Sequence, residues 1–385
     1  MSFAKKLTLL FSVIVLVTSV IIVYLVYTST ARTLEEQILG KMEVQAYHTM
    51  DKIDRMLGAR YARLSRFAAS PALVSGKLTP EGMLRELQGF MKNSPGNYVS
   101  LSYFDVNRVR VADTSGEEVG RQHPLITYWK KLSAGMDSVV DVSMSVSQKR
   151  TILHMAMAVK DAEGATIGYV VARSPLEAMY DTLSHIEGPG DIKAEEALQV
   201  DLVNREGLIL YSKYKTESIL KDISPDWSFM RKFVEKGVTV GSERHSHEGD
   251  TSKGEELYAF ALERGYRNYN GDGWMLILNM PTSVAFAPAV QLRNRVLVIL
   301  AVMSVYSFVV VALFSKSVTR PLRELSEASA RIGMGRLDTR VETGSSGEIR
   351  SLAESFNRMA ENIKTSRGEL IASREYTSNV LHSMH

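Results

Sequence analysis

Two uncharged apolar runs, Leu7–Tyr27 and Val296–Ser315, fix the layout of this chain before anything else is considered. A helix needs roughly 20 apolar residues to cross about 30 Å of hydrocarbon. The first run supplies 21 and the second 20. Thr8, Ser12, Thr18 and Ser19 interrupt the first run only with hydroxyls, which can bond to carbonyls of their own helix. Lys5 and Lys6 also suit a secretory signal, but the stretch is too long for one and no Ala-x-Ala site follows. An uncleaved anchor is expected. A chain that crosses, builds a polar domain, crosses back and continues carries information across a membrane.

The flanks set the orientation. Lys5 and Lys6 precede the first run, and Lys316, Arg320 and Arg323 follow the second, which puts both termini in the cytoplasm. Arg293 and Arg295 weigh against this, but long intervening segments translocate largely regardless of charge. With 385 residues and 45% hydrophobic content there is material for one or two folded domains besides the helices. A net charge of +3 is too small to suggest a nucleic-acid partner. The absence of cysteine removes disulfides, thiolate chemistry and Cys-ligated metals. A bacterial inner-membrane protein with a periplasmic domain is expected.

After the second run, Thr319-Arg320-Pro321-Leu322 opens a helix, since proline suits a first turn where its missing N–H costs nothing. Leu322, Leu325, Ala328 or Ser329, and Ile332 follow on one stripe, and Gly333 and Gly335 end it. Leu337 and Val341 punctuate a polar connector. Ser345-x-x-Glu348 forms a capping box, and Ile349, Leu352, Phe356, Met359 and Ile363 step 3, 4, 3, 4 along a coiled-coil seam. Two short helices cannot bury such narrow stripes alone, so the pattern predicts a homodimer.

These residues resemble a HAMP domain: Arg320-Pro321-Leu322 with Leu325, Gly335-x-Leu337-x-x-x-Val341, then Glu348-Ile349-x-x-Leu352-x-x-x-Phe356-Asn357-x-Met359. Gly347 stands where the family has an Asp before the key Glu. The resemblance implies a parallel four-helix bundle in the dimer, over 316–368, relaying helix movement as a change of packing. Pro321, Leu325, Leu337, Val341, Glu348, Leu352, Phe356 and Met359 are the expected relay residues. Residues 369–385 read as a signalling helix, and Arg374–Met384 resembles the first helix of a PAS domain of bacterial sensor kinases. No ATP-binding glycine boxes or cyclase signature is present, and His382 and His385 lack the flanks of a phosphoacceptor. Either the chain is cut ahead of its output or it works with separate partners; the cut is the preferred reading.

Residues 28–290 form the extracytoplasmic part. Leu34, Ile38, Met42, Ala46, Met50, Ile53, Leu57, Tyr61, Leu64 and Ala68 recur every three or four residues, predicting a stalk helix over 30–70. Such a helix reaches roughly 60 Å at 1.5 Å per residue. A module over 71–187 follows, with strands at Tyr98–Phe104, Val109–Ala112, Val139–Val146, Thr151–Val159 and Ile167–Arg173, a turn at Ala162-Glu163-Gly164 and a helix at Leu176–Ile186. Gly188-Pro189-Gly190 marks a boundary. A second module over 191–290 has strands at Leu198–Asn204, Leu208–Ser212, Glu256–Leu262 and Trp274–Met280. The fold class is α+β.

His123-Pro124-x-x-x-Tyr128-Trp129, Ala156–Val159 with Asp161, Gly164 and Ile167-Gly168, Asp201-Leu202-Val203-x-x-Glu206-Gly207, and Gly273-Trp274-x-Leu276 resemble a double Cache ligand-binding domain of bacterial chemoreceptors and sensor kinases. The resemblance implies two PAS-like modules on the stalk, with a small solute bound in the membrane-distal one, 71–187. Amino-acid-binding members carry an Arg two residues before the aromatic pair, where this chain has Ile126, and an Asp near the end of the last distal strand, where it has Arg173. A guanidinium in place of that acid repels an ammonium and accepts a carboxylate or phosphate. A small organic anion is therefore expected, with Arg173, Tyr128, Trp129, Lys130, His154 and Tyr103 as candidate wall residues. Tyr103 and His154 fit core positions as well, Lys130 a solvated surface charge, and Arg173 an outward ion pair.

His245-x-His247-Glu248 has metal-ligand chemistry but lies in a Ser/Gly/Asp-rich stretch without a second cluster, so a solvated loop is expected and no metal or cofactor. The 18 methionines sit at apolar positions and suit core packing. No nucleophile elbow or catalytic constellation is present. The resulting expectation is a homodimeric sensor, most simply of a histidine kinase acting on a response regulator, with a chemotaxis receptor or nucleotide cyclase as the alternative. A membrane-tethered periplasmic enzyme or adhesin would have no need of the HAMP-like unit.

Overall fold

The computed structural model describes residues 3–188, 198–246, 254–342 and 347–383. The chain divides into two compact units: Ala31–Pro288, and Met1–Thr30 together with Ala289–His385.

Helix α1 (Phe3–Ala68) is a single run of 66 residues, so the first apolar segment and the stalk are one helix without a break. Within Ala31–Pro288 its stripe Ile38, Met42, Ala46, Met50, Ile53, Leu57, Leu64 and Ala68 is buried in the main core. Truncating Leu57 on this stripe to alanine is worth about 2–5 kcal/mol. The one-turn α2 (Pro71–Val74) and α3 (Pro80–Lys92) follow, α3 being capped by Thr79, whose Oγ1 accepts the Gly82 N–H at 3.2 Å.

The first module continues with β1 (Ser100–Phe104), β2 (Arg110–Asp113), α4 (Thr127–Ser133), β3 (Ser138–Met144), β4 (Thr151–Lys160), β5 (Thr166–Ser174) and α5 (Glu177–Ser184). Its antiparallel sheet has the order β2-β1-β5-β4-β3. The second module has β6 (Gln199–Val203), β7 (Ile209–Ser212), α6 (Trp227–Glu235), β8 (Val240–Ser246), β9 (Glu255–Leu262) and β10 (Met275–Pro281), in the order β7-β6-β10-β9-β8. The second order is the first renumbered, as expected for two modules of one build.

Strand alternation divides each sheet into two faces. Leu101, Tyr103, Val170, Ala172, Met155 and Met157 of the first sheet, with Leu202, Leu257, Leu276 and Leu278 of the second, share the core with the α1 stripe. The outer face of the first sheet packs Phe104, Val139, Ala156 and Val171 under Tyr128, Trp129 and Leu132 of α4. The outer face of the second packs Val203, Ile209, Tyr258, Phe260 and Ile277 under Phe229 and Met230 of α6.

The β1–β2 and β6–β7 turns are twins. Asp105 Oδ1 accepts the N–H of Asn107 and Val109, and Asn204 Oδ1 that of Glu206 and Leu208. The left-handed residue is Arg108 (φ 64°) in one and Gly207 (φ 86°) in the other. Sequence patterning did not anticipate β8 or α6, and His245 lies on strand β8, its ring stacked 3.8 Å from Phe229, rather than in a loop. His247, Glu248, the Gly188-Pro189-Gly190 boundary beyond Gly188, Ser345 of the capping box, Met384 and His385 lie outside the described residues.

The short α7 (Thr282–Ala285) closes the first unit, and the other unit holds the start of α1, nearly all of α8 (Ala287–Phe314), α9 (Arg320–Gly333) and α10 (Glu348–Ser383). Phe11, Val15 and Leu16 of α1 line an apolar groove with Ser304, Phe308 and Val311 of α8. Large side chains along both helices are exposed, among them Leu16, Val20, Leu25, Val298, Val302 and Val305. Both helices are long and apolar enough to cross a membrane. The Arg293 guanidinium lies 5.4 Å from the Tyr27 ring centroid, a cation–π contact at the end of the pair.

Between α8 and α9, Ser315–Thr319 forms a π-helical turn. Pro321, the second residue of α9, has no N–H to give to the carbonyl four residues earlier, which favours such a local widening. In the connector, Asn357 Oδ1 accepts the Val341 N–H at 2.9 Å and its Nδ2 donates to the Val341 carbonyl at 3.0 Å. Lys364 pairs with Asp338 at 2.8 Å and Arg340 with Glu361, so the connector is laid along α10.

Candidate functional site

Register brings four polar residues into one row across the outer face of the first sheet. Asp141 of β3 pairs with His154 of β4, His154 with Arg173 of β5, and Arg173 with Ser100 of β1. Ser102 and Asp113 form the adjoining pair. All six are buried. The Arg173 guanidinium donates through Nη1 to Ser100 Oγ (3.0 Å), Ser102 Oγ (2.8 Å) and Asp113 Oδ2 (3.3 Å). Ser102 also donates to Asp113 Oδ2, and Asp113 Oδ1 accepts the Ser115 N–H at 2.7 Å.

A second buried guanidinium stands beside the first. Arg110, 1% exposed, is 3.6 Å from Asp113 Oδ2, donates to the Glu117 carbonyl at 2.6 Å, and lies over the Phe104 ring at 5.2 Å. Burial, and then the neighbouring Arg173, lowers its affinity for its proton. Two guanidiniums thus share one carboxylate. Arg173 Nη2 and Arg110 Nε have no hydrogen-bond partner among the described residues, nor do Trp129 Nε1 and Asp141 Oδ2. Each such buried atom costs about 1–3 kcal/mol until something bonds to it.

The aromatic wall comes from α4 and the loop before it. Tyr128 stacks on His154 at 5.0 Å and 21°, and its hydroxyl lies 3.5 Å from His123 Nε2. Trp129 meets Phe104 and Tyr169 edge-on. Burial pushes His154 down to about 3 and His123 to about 4, with the nearby guanidiniums acting in the same sense, so both rings are neutral at physiological pH. Burial likewise pushes the Tyr128 phenol up to about 12 and raises the Asp141 carboxyl. The positive charge of the face therefore resides on Arg110 and Arg173. Paired guanidiniums with spare N–H groups in a water-poor setting recognise carboxylates and phosphates.

Of the residues anticipated from sequence, Arg173, Tyr128, Trp129 and His154 come together here. Tyr103 does not: it points from the opposite face of β1 into the α1 core, its hydroxyl 3.3 Å from the Ile167 carbonyl. Lys130 is exposed on α4, on the far side from the buried Tyr128 and Trp129. Arg110, Asp113, Asp141 and Ser102 were not anticipated. Arg110-x-x-Asp113 on a short strand is their only trace in the sequence, because an isolated charge normally reads as surface.

The equivalent face of the second module is acidic. Asp201 and Asp226 are buried, and the Tyr258 hydroxyl, with one hydrogen to give, lies 3.0 Å from Asp226 Oδ1 and 2.5 Å from Glu256 Oε2. Gln199 Nε2 donates to Asp201 at 2.6 Å, and Asn279 Nδ2 to Glu256 at 3.1 Å. Burial raises the Asp201 carboxyl, with the hydrogen bonds from Ser212 and Gln199 opposing.

Among the residues expected to relay, Pro321, Leu325 and Val341 are buried, and Leu325, Ala328, Val341 and Ala353 form a cluster flanked by Phe356. Leu337 is half-buried and Glu348 exposed. Leu352 and Met359 are 50% and 56% exposed, so the expected seam is split: Ala353 and Phe356 face α9 while Leu352 and Met359 face away.

The HAMP domain model matches residues 313–365. Methyl-accepting chemotaxis protein McpA of Bacillus subtilis is 21% identical over 375 residues, 94% of this chain and 52% of its own length. Methyl-accepting chemotaxis protein PscA of Pseudomonas syringae pv. tomato is 23% identical over 375 residues, 96% of this chain and 56% of its own. The chain thus spans about half the length of these curated relatives. The ligand-binding domain of Pseudomonas fluorescens chemoreceptor CtaA, solved with L-isoleucine, aligns with a TM-score of 0.47 at 16% identity, covering 68% of this chain and 97% of that one. A segment matching the HAMP model, two helices long and apolar enough to cross a membrane, and two α+β modules of one strand order give this chain the layout of a membrane-anchored sensor.

Proposed function

We propose that this chain is a two-pass receptor of the bacterial inner membrane, both termini cytoplasmic, that binds a small organic anion on the first module and relays the event through its HAMP domain to a chemotaxis-type output. The observation that carries the ligand reading is the Arg110–Arg173 pair, which shares the single carboxylate of Asp113 and keeps unpartnered N–H groups. The output reading changes from the histidine kinase preferred on sequence to the alternative, because the curated relatives are methyl-accepting chemotaxis proteins. The described residues from 374 onward lie in helix α10, which the PAS-like reading and a chemotaxis-type output accommodate equally. A homodimer is favoured by Leu352, Met359 and Ile363, which leave one exposed apolar stripe on α10.

An α-amino acid is the second reading, favoured by Asp141 Oδ2, a buried acceptor without a partner that suits an ammonium. Calorimetric and thermal-shift titration of residues 31–288, which form a compact unit, against dicarboxylates, hydroxy acids, phosphate and amino acids separates the two. A ligand at 100 times its dissociation constant adds about 2.7 kcal/mol of stability. An organic anion is expected to do so in wild type and in Asp141→Asn but not in Arg110→Gln. Stabilisation by amino acids alone, lost in Asp141→Asn, replaces the first reading with the second; amino-acid binding indifferent to Arg110 and Asp141 removes the site from the first module's outer face.

A further inference from the structure

The segment Glu263–Gly273 connects β9 to β10 of the second module, yet its contacts reach the stalk and the first module. The Arg264 N–H donates to Asp54 Oδ2 of α1 at 3.1 Å, and the Tyr269 ring lies 5.3 Å from that of Tyr61. A Cβ at Gly58 would stand 2.8 Å from Tyr266 Cβ, so the helix and the segment touch backbone to side chain. At the other end Asp272 Oδ2 accepts the Val140 N–H at 3.2 Å. Val140 lies on β3, the edge strand of the first sheet, which pairs with β4 alone. A side chain of the second module therefore occupies an edge amide of the first.

Behind Asp272 the hydrogen-bond arithmetic is unusual. Glu263 Oε2 accepts the N–H of Asp272 (2.7 Å) and of Trp274 (3.1 Å). Glu263 Oε1 is 2.6 Å from the Tyr269 hydroxyl, which is in turn 3.3 Å from Asp272 Oδ2. Three oxygens in line make two contacts, and the phenol supplies one hydrogen. With both carboxylates ionised, one contact is a hydrogen bond and the other sets lone pairs of the neutral phenol oxygen against those of a carboxylate. One additional proton turns both contacts into hydrogen bonds.

We infer that Glu263, Tyr269 and Asp272 form a proton-operated latch that holds β3 of the first module to the second, closed when the trio carries the additional proton. Glu263 and Tyr269 are 5% and 4% exposed, so water does not mediate between them. Burial sets the proton affinities: it pushes Glu263 up to about 7 against the Tyr269 hydroxyl and the Trp274 N–H, with Asp272 adding to the rise, and Asp272 up to about 6 against the Val140 N–H and the Tyr269 hydroxyl. The other charges facing the pair are Lys131 of α4, which opposes the rise at Asp272, and Asp141 of β3, which adds to it. On the stalk side stands Asp54, itself raised by burial and held by the Arg264 and Gly265 backbone N–H groups; the stem of Arg205 lies against Gly273. Because both carboxyls are raised from ordinary values of 4.5 and 3.8, the latch is fully stabilising below about pH 4 and weakens as pH rises through 6 to 7. Asp141, next to Val140, belongs to the candidate ligand face, and the latch itself stands whether or not that face binds an anion.

The test uses the full chain in lipid nanodiscs and mass-spectrometric hydrogen exchange of the peptide spanning 138–144, at pH 5.5 and 7.5, each corrected for intrinsic exchange. Wild type is expected to exchange roughly tenfold more slowly at pH 5.5, as set by a pKa raised by two units or more. Glu263→Gln, which carries its own donor and no charge, is expected to exchange slowly at both values. Tyr269→Phe, lacking the bridging hydroxyl, is expected to lose the pH dependence and is the second variant if Glu263→Gln does not fold. Equal protection of wild type at the two pH values overturns the latch. So does pH dependence retained in either variant, or a change spread equally over β6 and β10, which would report global stability.

Discussion

The first and second modules have one strand order, one core against the α1 stripe and twin turns at the same place, but their outer faces carry opposite charge. The first collects Arg110 and Arg173 around one carboxylate, with two neutral histidines beneath. The second collects Asp226 and Glu256 around Tyr258, with a further buried carboxyl, Asp201, bonded to Gln199. Backbone architecture fixes where a row of side chains meets on an outer face; it does not fix what the row recognises. The difference teaches that two modules of one strand order can align quite different side chains on the same face, so ligand class has to be read from which side chains the register aligns.

Breaking the charge of each face is the strongest test of that contrast. Arg173→Ala strips a buried guanidinium from Asp113, Ser100 and Ser102 and is expected to cost about 3–5 kcal/mol in urea unfolding of residues 31–288. Asp201→Asn in the second module is expected to cost about 1 kcal/mol or less, because its carboxyl is already raised by burial and keeps Gln199 as a neighbour. Equal costs would erase the distinction between the faces.

Acid is expected to separate the modules next. His154 and His123 are held at about 3 and 4, far below the ordinary 6.5, so below pH 6.5 the unfolded chain takes up protons that the first module refuses. Its stability is present above 6.5 and is lost as pH falls toward 4, at up to about 2.7 kcal/mol per pH unit for two protons. Hydrogen exchange is expected to rise in β4 before β9, and His154→Gln to halve the slope. This is opposite in sign to the latch. Simultaneous loss in both strands would show that the histidines do not set the acid limit.

Effects smaller than the loss of Arg173 are expected at the twin turns. A Cβ at Gly207, at φ 86°, would lie 2.3 Å from the Trp227 ring, so Gly207→Ala is expected to cost about 2 kcal/mol. Its counterpart Arg108 tolerates φ 64°, and Arg108→Gly is expected to gain about 0.5 kcal/mol as relieved strain exceeds lost chain stiffness. Matched effects in thermal unfolding would mean the turns are twins in energy as well as in shape.

What the sequence revealed follows from which forces write periodic signals. The membrane runs, the α1 stripe and the HAMP-like spacing repeat over several turns, and most strands alternate cleanly, so these were legible. Strand β8 (Val-Gly-Ser-Glu-Arg-His-Ser) is a polar edge strand whose pairing with β9 is carried by backbone, and it was missed. Tyr103 and Phe104 are neighbours on β1, and only the register decides that Phe104, not Tyr103, faces the guanidiniums. Arg173 and its aromatic neighbours were found through family likeness; Arg110 and Asp113 were not, since nothing local says a charge will be buried. The latch left no trace, because one of its ends is the main-chain amide of Val140.

The wide turn at Ser315–Thr319 bears on how any event on the membrane side is read by the HAMP domain. An α-helix advances about 100° of azimuth per residue, and a π turn absorbs one residue more than its α counterpart. The clocking of Leu325 and Ala328 against their partners is therefore set by five residues rather than by the whole of α8. If that turn tightens to ordinary helical pitch, the one-residue change swings the stripe by about 100° for an axial shift of only about 1.5 Å. The turn is thus placed where a small axial change becomes mainly a rotation of α9.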